Sequence, residues 1–117
     1  MAGKAVVVIS RDAAAWSSLK ARLAREGYQV HSFQAIRDAC HWIHLGGRVP
    51  SATIIDISRD TTNPENLGWI KDLSDRCPLF FIAGARGQIP SELESFGEVL
   101  RRPIPLGEIL SKIRPRI

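Results

Sequence analysis

Pro50-Ser51-Ala52-Thr53-Ile54-Ile55-Asp56-Ile57-Ser58 is a β-branched apolar run that ends in one carboxylate and then turns polar. Continuous apolar runs of this length belong to strands buried on both faces, which in α/β proteins are parallel strands covered by helices. A polar residue at the carboxyl end of such a strand points into the crevice where open α/β sheets bind their ligands. Asp56 is therefore the first candidate for chemistry, and the flanking segments decide what surrounds it.

Upstream, Ala5-Val6-Val7-Val8-Ile9 is a second buried strand that stops at Ser10-Arg11-Asp12. Asp12 precedes Ala13-Ala14-Ala15, where its short oxygen-bearing side chain can cap the free amides of a helix start. Trp16, Leu19 and Leu23 recur at helical spacing, and Gly27 supplies a left-handed C-cap. Tyr28 to Phe33 alternates apolar and polar residues, as a strand near the edge of the sheet does. Ile36, Ala39, Cys40 and Ile43 form the apolar stripe of a second helix that ends at Gly46-Gly47.

Downstream, the polar loop Ser58-Arg59-Asp60-Thr61-Thr62 leads to Asn63-Pro64, a cap followed by proline at the first helical position. Leu67, Ile70 and Leu73 give that helix its stripe, and it should run to about Arg76. Leu79 to Ile82 is a fourth buried strand, and Ala83-Gly84-Ala85 leaves the crevice open behind it. Ile89 to Phe96 allows only a short helix before Gly97. Glu98 to Arg101 is a fifth strand broken by Pro103 and Pro105, and Leu106, Ile109, Leu110 and Ile113 face the last helix inward.

Five alternations of strand and helix with short connections predict a doubly wound α/β fold, a five-stranded parallel sheet with helices on both faces. At 117 residues the chain is expected to be a single domain spanning 1–117 with one core. Hydrophobic residues at 44% and charged residues at 24% predict a folded chain rather than a disordered one. No apolar run is long enough to cross a bilayer, and Met1-Ala2-Gly3-Lys4 is too polar to open a signal peptide, which together point to a bacterial-type cytoplasm and no membrane partner.

Cys40 and Cys77 lie far apart without metal-ligand spacing, so buried free thiols are expected. His41 and His44 share a helix face at a spacing metal pairs use, but no third ligand accompanies them, so they are read as solvated. The net charge of +4 is spread along the chain; its densest part is Arg101, Arg102, Lys112, Arg114 and Arg116, read as a solvated face rather than a nucleic-acid site.

The chain resembles the receiver domains of bacterial two-component response regulators over its whole length. Pro50 to Ile57 looks like the family's third strand with its phospho-accepting aspartate, here Asp56. Arg102-Pro103 falls where the family's Lys-Pro closes the fifth strand, and Glu26-Gly27-Tyr28 resembles the Gly-aromatic end of its first helix. The resemblance implies a flavodoxin-like sheet of order 2-1-3-4-5.

It also implies a set of working parts, most of which are replaced here. The family's acidic pair, which holds magnesium beside the aspartate, corresponds to Ser10 and Arg11, with Asp12 one residue too late. The hydroxyl ending the fourth strand, the aromatic switch of the fifth and the lysine correspond to Ala83, Val99 and Arg102. Only Asp56 is unaltered. The turn that usually follows the aspartate is absent, and the fourth helix is short.

These departures predict that Arg11 or Arg102 pairs with Asp56 and takes the place of a metal, leaving a site without magnesium or any other cofactor. The alternatives are that both arginines point into solvent, and that Asp56 is a carboxylate that accepts backbone amides. The expected function is that of a pseudo-receiver. It is a non-enzymatic signalling domain without magnesium-dependent phosphorylation, whose partner is another signalling protein, an attached effector domain or a second copy. The alternative is a divergent receiver phosphorylated on Asp56 by a partner histidine kinase in a phosphorelay, with Arg102 contacting the phosphoryl oxygens. A third class, a small enzyme or nucleotide-binding module, lacks a Gly-rich loop after the first strand, and Gly84-Ala85-Arg86-Gly87 is too isolated to stand in for one. Apolar residues left exposed on the fourth helix and fifth strand would mark the binding face.

Overall fold

Five parallel strands, β1 (Ala5–Ile9), β2 (Gln29–Phe33), β3 (Ala52–Asp56), β4 (Leu79–Ala83) and β5 (Glu98–Arg101), form one sheet in the order β2-β1-β3-β4-β5. The computed structural model describes residues 4–46, 48–58, 61–86 and 89–116; Met1, Ala2, Gly3, Gly47, Arg59, Asp60, Gly87 and Ile117, used in the sequence reading, lie outside them. The helices are α1 (Ser17–Arg25), α2 (Ile36–His44), α3 (Pro64–Ser74), α4 (Ser91–Phe96) and α5 (Leu106–Ile113).

Strand alternation divides the core into two layers. Val6 and Val8 of β1, Ile54 of β3 and Phe80 and Ile82 of β4 pack with Leu19 and Leu23 of α1 and Ile109, Leu110 and Ile113 of α5. Val7, Ile9, Ile55 and Phe81 face the other way, onto Ile36 and Ile43 of α2, Ile70 and Leu73 of α3 and Leu93 of α4. The three central strands are thus apolar on both faces, and β2 at the sheet edge is the most exposed strand, as its alternation predicted.

Local signals set the ends of the helices. Asn63 Oδ1 accepts the Asn66 amide at 2.7 Å with Pro64 at the first helical position. Gly27, at φ +94°, closes α1: its amide donates to the Ala24 carbonyl and that of Tyr28 to the Leu23 carbonyl, the paired bonds of a left-handed cap. Cys40 and Cys77 are buried free thiols.

One expectation is corrected. The first helix does not run straight from Ala13: Ala13–Trp16 is a tighter 3-10 turn, and α1 begins at Ser17 because Trp16 leaves helical geometry with its side chain turned inward. His41 and His44 are both exposed, as a solvated pair is; His44 Nε2 pairs with Asp72 of α3 at 3.1 Å and His41 stands edge-on to Trp69. The basic residues near the end of the chain are all exposed, as expected, and three have surface partners: Lys112 pairs with Glu98, Arg114 with Glu26, and Arg101 donates to the Gly84 carbonyl. Among the described residues, the exposed large apolar side chains are Leu45 and Val49, between α2 and β3, rather than residues of α4 or β5.

Candidate functional site

The carboxyl ends of β1 and β3 lie side by side, with Val8 opposite Ile54 and Ile9 opposite Ile55, so Ser10 and Asp56 meet at the mouth of the crevice. The order of the strands reverses here, which is where doubly wound sheets gather their functional side chains. β5 lies beyond β4, and the residue after it, Arg102, is held over the same crevice by its amide, which donates to the Ala83 carbonyl at 2.9 Å.

Three side chains converge on one oxygen of Asp56. Arg102 Nη2 lies 2.9 Å from Oδ2, Ser10 Oγ donates to it at 3.0 Å and Trp16 Nε1 at 3.2 Å. Ser10 has one hydroxyl proton, and the carboxylate is a nearer and charged acceptor compared with the Asp12 carbonyl at 3.2 Å. The same Ser10 oxygen accepts the Asp12 amide. The Arg102 guanidinium also stands 5.8 Å from the centre of the Trp16 ring, within cation–π range. Asp56 is thus mostly enclosed, at 17% side-chain exposure, while Arg102 at 47% has one flank in solvent.

Of the two arginines offered as partners for Asp56, Arg102 makes the ion pair, and Arg11 is exposed and lines a polar recess of about 70 Å³ with Ser10, Asp56, Ser58 and Thr61. The donors to Asp56 are side chains, not the backbone amides of the alternative reading. Ala83 ends β4 fully buried, without a hydroxyl to offer. Val99 is opposite Phe81 and packs, partly buried, on the α2–α3–α4 side.

The described residues around Asp56 do not fit a magnesium site. That ion takes near-octahedral oxygen ligands, usually including more than one carboxylate. Asp12, the acid next to Ser10 and Arg11, spends Oδ1 on capping the Ala15 amide. Asp56 Oδ2 is already occupied by three donors, one of them cationic. Among the described residues no three His, Cys, Asp or Glu side chains gather as a metal cluster.

Sequence reading missed Trp16 as part of this site and assigned it only to the apolar stripe of the first helix. The available signal was the indole N–H itself, which needs a partner when the ring is buried, and Trp16 is 5% exposed.

No family model and no curated protein matches this sequence. Solved structures do match its fold. A two-component response regulator from Clostridium difficile is 17% identical with a TM-score of 0.75, the match covering 97% of this chain and 94% of that one. The chemotaxis protein CheY4 of Vibrio cholerae is 14% identical at a TM-score of 0.75, over 99% of this chain and 100% of that one. A CheY-like response regulator receiver domain protein from Methanospirillum hungatei is 14% identical at 0.73, over 94% and 90%. Strand order, crevice and near-complete overlap agree: this chain has the fold of the response-regulator receiver domain.

Proposed function

We propose that this chain is a pseudo-receiver, a signalling domain that works through protein contacts and does not use magnesium to phosphorylate Asp56. The observation that carries this reading is the Arg102–Asp56 ion pair at 2.9 Å, with Ser10 and Trp16 on the same oxygen. A receiver's aspartate needs a cation to neutralise an incoming phosphoryl group. Here the countercharge is a guanidinium carried by the chain itself. The crevice keeps a receiver's shape without the acids of its switch.

Incubation with acetyl phosphate and magnesium, followed by intact mass measurement, is the direct test. No stable phosphoryl adduct is expected. An adduct mapped to Asp56 would favour a second reading, a divergent receiver served by a partner kinase. One observation supports that alternative: Arg102 already lies within bonding distance of Asp56, and its fork could hold phosphoryl oxygens.

Among the described residues no helix is long and apolar enough to cross a membrane.

A further inference from the structure

We propose that a cavity beside the Asp56 cluster, on the α1 side of the sheet, binds a small uncharged aromatic molecule and makes the cluster responsive to it. The cavity is lined by Val8, Ser10, Trp16, Ser32, Phe33 and Gln34 and encloses about 210 Å³. Val8, Ser10 and Trp16 are each no more than 5% exposed and form its floor, while Ser32 and Gln34 are exposed and stand at its mouth.

The lining sets the chemical class of the ligand. Among the described residues no charged side chain lines the cavity, so an ionised ligand would lose its hydration without gaining a countercharge. The Trp16 indole and Val8 offer dispersion and ring contacts suited to an aromatic ring, while the Phe33 ring packs on the α2 side of the sheet against Trp42. The Ser32 hydroxyl and Gln34 carboxamide can bond one polar substituent. An apolar cavity of about 150 Å³ is enough to admit benzene, so this one has room for a single substituted ring.

Its position ties the cavity to Asp56. Trp16 and Ser10, two of its walls, are also two of the three donors to Asp56 Oδ2. A ligand that shifts either wall changes the ion pair with Arg102, and by linkage the state of Asp56 changes the ligand's affinity. The site holds whether or not Asp56 is ever phosphorylated.

The probe is 4-fluorophenol, titrated into the intact chain and followed by its fluorine resonance. Saturable binding with a dissociation constant at or below about 1 mM is expected, since the probe is of fragment size. Ser32→Trp and Gln34→Trp each fill the mouth from an exposed position and should weaken binding at least about tenfold. The charged analogue 4-fluorobenzoate should bind about tenfold more weakly as well. Asp56→Asn should alter the affinity about threefold or more through the shared donors. Absence of saturation, or binding indifferent to both filling variants, overturns the site. Equal binding of the benzoate overturns the ligand class, and an unchanged affinity in Asp56→Asn overturns the coupling. A phosphoryl adduct on Asp56 would defeat the pseudo-receiver reading and leave this site standing.

Discussion

Arg102 Nη2 stands 2.9 Å from Asp56 Oδ2, so the carboxylate at the end of β3 carries its own countercharge on a side chain of the same protein. Restoring acids should therefore restore a cation site. The triple variant Ser10→Asp, Arg11→Asp, Arg102→Lys is expected to give a saturable magnesium-dependent change in tryptophan fluorescence, with Trp16 as reporter through its bond to Asp56. The unmodified chain should give none. A saturable response from the unmodified chain would show that the basic crevice still admits the ion.

Removal of the carboxylate should cost stability, because its donors are buried around it. Asp56→Ala leaves the Trp16 indole N–H, at 5% exposure, without its acceptor, while the Ser10 hydroxyl can turn to the Asp12 carbonyl at 3.2 Å. The expected loss is about 1–3 kcal/mol in urea unfolding, the range for orphaned buried donors. Asp56→Asn keeps an acceptor oxygen and should lose less. If Asp56→Ala unfolds at the same urea concentration as the parent, the cluster contributes nothing to the fold.

The strands were legible because burial on both faces leaves an unbroken apolar signature, and the helix caps because Asn63, Pro64 and Gly27 have strong local preferences. What the sequence withheld was set at longer range. Choosing between Arg11 and Arg102 required the path of the chain past β5, where the Arg102 amide docks on the Ala83 carbonyl. Trp16 looked like one more apolar core position at helical spacing, which it is, and only the 3-10 turn shows that its N–H is aimed at Asp56. The exposed Leu45 and Val49 were equally invisible, since surface apolar residues leave no periodic trace.

Gly97 and Gly68 should respond oppositely to alanine. A Cβ at Gly97, just before β5, would lie 2.8 Å from Leu79 Cβ and collide with the Leu79 carbonyl oxygen. Gly97→Ala should destabilise by about 1–3 kcal/mol through overpacking. Gly68, inside α3, meets nothing within 4 Å, so Gly68→Ala should stabilise by about 0.5–1 kcal/mol. Thermal melts of the two variants check the pair, and a neutral Gly97→Ala would mean that β5 can move off β4 without penalty.

The two thiols should be silent in the folded protein. Burial, with Asp72 adding to it, pushes the Cys40 thiol up from about 9 to about 12, and burial also raises Cys77 against an opposing bond with Thr53. The thiolate is the reactive form, so labelling by a disulfide reagent at pH 8 should proceed only through unfolding and reach both thiols in urea. The linkage has a definite sign. Above about pH 9 the unfolded chain releases the Cys40 proton while the folded chain retains it until about 12, so this group makes stability fall as pH rises across that window. Cys40→Ala removes the titrating group, and its urea midpoint should decline less steeply between pH 9 and pH 11 than the parent's. Parallel curves would mean that Cys40 ionises equally in both states, and rapid labelling without urea would mean that the α2–α3 layer opens on its own.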